Sequence, residues 1–211
     1  MSEESVEQPV RRLTARGVAT RARIVAAADE LMRMQGVNGT TLDEVTAASG
    51  SSKSQLYRHF SDKEALVREV IALRAIEVLE REARYLRRAD SFRGLERWRR
   101  AVLQRVSMRN GAFGCELGSL AHELADQDDY ARTDLERHFG SWKSLLADTF
   151  LRMQENGTLG PDAEPEELAT GLMAALQGGY LLAQASRSPE PMRIALEMAF
   201  VRIRTFATSK A

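Results

Sequence analysis

The chain has 211 residues, 44% hydrophobic and 28% charged, with one cysteine and a formal net charge of +0. A chain of this length buries about 70% of its unfolded surface, enough for one large domain or two small ones. The composition excludes a disordered, collagen-like or disulfide-stapled chain, and the lone Cys115 excludes an intrachain disulfide and fits a reducing cytoplasm.

The charge is unevenly spread. Arg11 to Phe60 carries eight basic residues (Arg11, Arg12, Arg16, Arg21, Arg23, Arg33, Lys53, Arg58) and four acidic ones (Asp29, Glu30, Asp43, Glu44), a local +4 that leaves −4 for the remainder. A basic head on an acidic body fits a protein that meets phosphates at one end, although random clustering gives imbalances of this size too. Residues 1–18 read as a polar arm. Two readings stay open for it: Arg11, Arg12 and Arg16 lie along phosphates or in a minor groove, or the arm is a solvated tail. The N-terminus lacks the basic-then-apolar plan of a signal peptide, so the expected location is cytoplasmic.

Helix 1 is expected from about Arg21 to Gln35, with Ile24, Ala28, Leu31 and Met32 as one apolar stripe and Gly36 as its stop. The stretch Thr41 to Phe60 reads as two short helices joined by a tight turn. Thr41 and Glu44 have capping-box spacing, Gly50 ends the first helix, and Ser52 with Gln55 caps the second. Leu56 and Phe60 anchor that second helix to a small core shared with Leu42 and Val45. Ser54, Gln55 and Arg58 point away from those anchors, with Lys53 and Tyr57 on one flank and His59 on the other. A third capping box, Ser61 to Glu64, is expected to start a long helix through Leu66, Val70, Leu73 and Leu79, about 25 residues or roughly 38 Å. Two helices joined by a Gly-containing turn are the sequence form of helix-turn-helix. Three ordinary capped helices with a solvated face would read much the same.

The run Gly39-Thr40-Thr41, Gly50, Lys53-x-x-Leu56-Tyr57-x-His59-Phe60-x-x-Lys63-Glu64-x-Leu66 resembles the DNA-binding domain of TetR-type transcriptional regulators over roughly residues 19–67. Thr46, Ser49 and Ser51 depart from the pattern around the turn, and Ser54 and Gln55 depart from it on the reading surface. The resemblance implies that Tyr57, His59 and Lys63 bind backbone phosphates, with Thr41 at the first helix's N-terminus. Ser52, Lys53, Ser54 and Gln55 complete the candidate set, the last three for base edges. Gln is able to pair bidentately with adenine and Lys to donate to guanine. Arg58 fits either role.

The body, residues 68–211, reads as all helix, with no alternating strand pattern. Helices are expected over 92–109 (Leu95, Trp98, Val102, Val106 on one face), 116–125, 128–155, 164–187 and 190–207, with turns at Asn110-Gly111, Gly160-Pro161-Asp162 and Ser188-Pro189. The uncharged run Leu168–Ser186 has transmembrane length, but its three Gly and polar groups mark a buried interface helix. Gly171, Ala174, Ala175, Gly178 and Gly179 let another helix come close. The segment Gly114–Leu120 together with the Trp142 helix resembles the ligand-binding half of the subgroup related to LmrA and YxaF regulators.

The fold expected is therefore all-α, an N-terminal three-helix helix-turn-helix domain joined by a long helix to an effector-binding and dimerisation domain. The resemblance implies a homodimer through the last two helices (about 164–207), double-stranded operator DNA as partner, and a small, apolar effector that shifts the linker helix and lifts repression. Trp98, Met108, Phe113, Leu120, Trp142, Met173 and Tyr180 are either plain core or the lining of that cavity, with His138 and Gln177 to orient a ligand. No cofactor or metal is expected, because His59, His122 and His138 lack ligand spacing. No nucleophile motif or phosphate loop suggests an enzyme. The rival reading is a dimeric helical small-molecule-binding protein without specific operator binding.

Overall fold

A computed structural model describes residues 14–209. Among them the chain forms nine helices: α1 (Ala15–Gly39), α2 (Leu42–Ser49), α3 (Lys53–His59), α4 (Lys63–Leu86), α5 (Phe92–Met108), α6 (Glu116–Leu124), α7 (Asp129–Glu155), α8 (Pro165–Ser186) and α9 (Glu190–Arg204). Extended pairing among these residues is confined to an isolated bridge, Leu159 with Ala207. The chain divides into two compact units, Met1–Val70 and Ile71–Ala211, and α4 belongs partly to each.

In the first unit, Ile24, Val25, Ala28 and Met32 of α1 are buried with Val45 of α2, Leu56 of α3 and Phe60. Helix α1 begins earlier than its apolar stripe suggests. Thr14 is its N-cap, accepting from Gly17 N at 3.2 Å, so residues 15–18 are helical and the rest of the proposed arm lies outside the described residues. Gly36 kinks the helix at φ 79° and the chain then continues to Gly39. The Thr40 hydroxyl donates to the Gly36 carbonyl at 2.8 Å and supports that kink. The start of α4 also differs from expectation. Asp62, not Ser61, caps it, accepting from Ala65 N at 2.7 Å, while the Ser61 hydroxyl donates to Asp62. A carboxylate is the stronger acceptor, and it complements the positive end of the helix dipole. The hydrogen bonds of Asp62 hold its carboxyl below the usual range, Ser61 first and Ala65 N second.

In the second unit, Leu95, Trp98, Val102 and Val106 of α5, Leu117, Leu120 and Leu124 of α6, and Leu135, Trp142, Leu146 and Phe150 of α7 are buried as their spacing predicts. Leu73 and Leu79, read as inward on α4, are only half-buried; Val70, Ile71, Ala75 and Val78 carry the buried stripe. The α4–α5 turn is held by α7. Arg152 donates to the carbonyls of Leu86 and Ala89 at 2.7 and 3.1 Å, and Asn156 donates to Asp90 O at 2.7 Å. These side chains take up carbonyls that the end of a helix leaves without intrahelical donors. Helix α8 packs on both α7 and α9. At Gly179 helix α8 comes close to α9: a Cβ there would lie 2.7 Å from Met192 Sδ and 3.1 Å from its Cα. Arg99 of α5 reaches α9, ion-paired with Glu197 at 2.5 Å and lying over the Phe200 ring at 5.3 Å.

Candidate nucleic-acid interface

Helices α2 and α3 carry the polar face. Thr41 N donates to Glu44 Oε2 at 2.8 Å and Glu44 N donates to Thr41 Oγ1 at 3.3 Å, completing the first capping box. These bonds, with one from Gln35, hold the Glu44 carboxyl below its ordinary value. Gly50 ends α2 at φ 60°, the left-handed region that glycine enters without a Cβ penalty. The polar residues around the turn satisfy one another. Ser49 Oγ lies 2.8 Å from Ser51 Oγ, and Thr46 Oγ1 donates to Leu42 O at 2.7 Å. The second capping box closes α3, with Ser52 N donating to Gln55 Oε1 at 2.8 Å and Gln55 N to Ser52 Oγ at 3.2 Å.

Leu56 and Phe60 are 0% and 2% exposed, and this fixes which way α3 faces. Ser52, Lys53, Ser54, Tyr57 and Arg58 are exposed, Gln55 and His59 half-buried. Lys63 is the first residue of α4 and half-buried. Two candidates for base contact are engaged. Lys53 Nζ pairs with Asp43 Oδ1 at 2.8 Å, a contact that raises its pKa. An exposed pair of this kind is worth little and is easily exchanged for DNA. Gln55 has its carbonyl oxygen tied to Ser52, leaving the amide donors; a bidentate contact with adenine requires it to leave the cap.

A polar groove of about 220 Å3 lies where the N-terminus of α1 meets α3, lined by Thr14, Arg16, Gly17, Thr20, Gln55, Arg58 and His59. Sequence reading placed Arg16 in the arm and missed the groove, because the start of α1 has no apolar stripe to mark it. The His59 imidazole is held below its ordinary value of 6.5, chiefly by burial and then by the charges of Arg21 and Arg58. Arg21 spans the core edge, ion-paired to Glu69 at 2.6 Å and lying 5.3 Å from the Phe60 ring centroid.

The ligand candidates divide. Trp98, Leu120, Trp142, Met173 and Tyr180 are buried, His138 and Gln177 half-buried, while Phe113 and Met108 are exposed at 47% and 78%. Phe113 sits on the α5–α6 loop at φ 69°. Of these candidates only Tyr180 lines a described cavity. Trp142 Nε1 is buried with no hydrogen-bond partner. Cys115 is buried and its thiol is pushed up to about 11 by desolvation, so it is not a reactive thiolate at neutral pH. The largest described cavity, about 840 Å3, is a groove between α8 and α9 that contains Gly171, Leu172, Ala175, Met198, Ala199 and Ile203. Beside it Leu181, Leu182, Ile194 and Val201 are exposed, so this side of α8 and α9 is an uncovered apolar face. No helix among the described residues is long and apolar enough to cross a membrane, and no group of three or more His, Cys, Asp or Glu is placed to hold a metal ion.

The sequence pattern described as "Bacterial regulatory proteins, tetR family" matches residues 24–70, and "Tetracyclin repressor-like, C-terminal domain" matches 93–199. The chain is 27% identical over 182 residues to the HTH-type transcriptional repressor DhaR of Mycobacterium sp. (strain GP1), covering 85% of this chain and 90% of that protein. It is 25% identical over 183 residues to the HTH-type transcriptional regulator LmrA of Bacillus subtilis (strain 168), covering 82% and 90%. Among solved structures, E. coli NemR in reduced form superposes with a TM-score of 0.75 at 25% identity, covering 86% of this chain and 95% of that one. A TetR-family regulator from Cytophaga hutchinsonii gives 0.80 at 20% identity, covering 94% and 100%. A capped helix-turn-helix at the head and a matching helical body place this chain in the TetR family of DNA-binding transcriptional regulators.

Proposed function

We propose that the protein is a ligand-responsive repressor that binds a near-palindromic operator as a homodimer in the cytoplasm. Residues 19–67 read DNA, and residues 68–211 dimerise and bind the effector. The observation that carries the reading is the orientation of α3: Leu56 and Phe60 are buried while Ser54, Tyr57 and Arg58 are exposed on the opposite side. Each protomer lays α3 in a major groove, and two-fold symmetry sets the heads about 34–36 Å apart or somewhat more. Tyr57, His59 and Lys63 hold phosphates, with Thr41 at the start of α2. Lys53, Ser54 and Gln55 face base edges, Lys53 after leaving Asp43. Arg58 shares the groove with Arg16 and favours a phosphate role.

Dimerisation through α8 and α9 is supported by their uncovered apolar face, since closed two-fold pairing is the commonest way to bury such a patch. The effector acts through α4, whose residues belong to both units, provided it prefers the non-binding state. The test is binding of the purified protein to its own upstream DNA at two salt concentrations, against scrambled DNA and with Tyr57→Ala. Selective, salt-weakened binding that the substitution abolishes supports the reading. If genomic selection also returns no preferred sequence, a helical binding protein without operator specificity takes its place.

A further inference from the structure

The loop between α5 and α6 carries an exposed aromatic residue that the DNA face does not use. Gly111 N closes the end of α5 by donating to Val106 O at 2.9 Å. Gly111 and Gly114 are both buried, and both lie against the last turns of α8. A Cβ at Gly111 would stand 2.3 Å from Ala183 O, and one at Gly114 would stand 2.5 Å from Gln184 Oε1. Both also hold positive φ, 73° and 54°, so space and backbone conformation alike call for glycine there. These two close approaches fix the loop to the C-terminal end of α8.

Phe113 lies between these anchors. It stays 47% exposed at a φ of 69°, a backbone region in which a bulky side chain is an outlier. Such positions persist only where the surroundings hold them. Gln184, which closes on Gly114, follows Leu181 by three residues, and residues three apart are neighbours on a helix surface. Leu181 and Leu182 are 66% and 57% exposed and belong to the uncovered apolar side of α8 and α9. The loop that carries Phe113 is therefore set at the edge of that face and continues it.

We propose that Phe113 packs against the partner protomer and extends the homodimer interface from α8 and α9 onto the α5–α6 loop. The inference deepens the α8–α9 dimer reading and rests on it. Two-fold symmetry makes the contact twice per dimer, once from each protomer. Aromatic residues are enriched at interfaces, where one ring covers a large apolar area. The loop runs directly into α6, whose first-turn Glu116 accepts a fork from Arg81 of α4 at 3.1 and 3.2 Å. The contact at Phe113 is thus joined to the long helix α4 by one loop and one ion pair.

The test uses the full-length protein. Asn accepts positive φ more readily than Phe, so Phe113→Asn removes the ring without adding strain, and circular dichroism should show unchanged helix content. Sedimentation equilibrium should show the dimer dissociation constant raised about a hundredfold, about tenfold for each of the two contacts, the scale of a buried interface aromatic. Tyr130→Asn removes a ring that is 78% exposed at the start of α7, and should leave the constant unchanged. A second readout serves a dimer too tight to dilute apart. The indole introduced by Phe113→Trp should be shielded from acrylamide quenching in the dimer and open to it once Gly178→Phe is added to split the dimer, while Trp98 and Trp142 stay buried in both. Equal quenching in the two states overturns the proposal, and so does a dissociation constant that Phe113→Asn leaves unchanged. A dimer that Gly178→Phe does not weaken sinks the α8–α9 reading and the loop contact together. A dimer that Gly178→Phe weakens and Phe113→Asn does not sinks the loop contact alone.

Discussion

Trp98 and Trp142 are both fully buried, but their indole N–H groups differ. Trp98 donates to Glu82, a carboxylate with no exposure, whereas Trp142 Nε1 has no partner. Replacing Trp98 with Phe leaves a buried carboxylate short of a donor; replacing Trp142 with Phe removes an orphan. Trp98→Phe should therefore destabilise by about 2 kcal/mol more than Trp142→Phe in chemical denaturation. His59 gives a pH prediction. Above pH 6.5 the ring is neutral in folded and unfolded chains alike, and pH has no leverage through it. As pH falls below 6.5 the unfolded chain binds the proton first, so the folded unit loses stability until pH passes the lowered folded value. A DNA phosphate against the ring favours imidazolium instead, so operator affinity should rise through the same window. His59→Gln should flatten both profiles, read by melting and by band shift; a profile that keeps its slope removes His59 from the phosphate set.

At the scale of elements, two glycines separate backbone conformation from packing. Gly50 holds φ 60° with open space around it, so Gly50→Ala should cost about 1 kcal/mol through backbone strain alone, and Gly50→Asn less. Gly178 on α8 also has open space around it, but at an ordinary helical φ. Gly178→Phe should leave the protomer folded by circular dichroism and shift the dimer toward monomer in sedimentation. A variant that stays dimeric puts the interface elsewhere. The helix starts divide by the kind of signal each carries. The caps at Thr41 and Ser52 were legible because both partners of each box lie within four residues. The start of α4 was misread because Ser61 and Asp62 are adjacent candidates, and the carboxylate won the N–H. The start of α1 was missed because its first turns are largely exposed, so no apolar periodicity marks them.

For the whole molecule, the two units imply separable duties, with charge carrying the DNA step. If Arg16 meets a phosphate in each protomer, Arg16→Ala should lower the slope of log affinity against log salt by about two per dimer and weaken all sequences alike. An unchanged slope takes Arg16 off the DNA. The sequence by itself determined the all-helical class and the helix-turn-helix, because caps, turns and apolar spacing act over a few residues. It also pointed to an apolar face on α8 and α9, through small and apolar residues in excess of what one protomer covers. Only the tertiary structure decided that Lys53 and Gln55 are engaged before DNA arrives, and that the start of α1 joins α3 in one groove. The gathering of Arg81, Arg105, Arg109 and Tyr180 around Glu82 and Glu116 belongs to the same class. Those side chains come from four separate helices and the turn after one of them, and no local spacing records which of them packing will bring within hydrogen-bond reach.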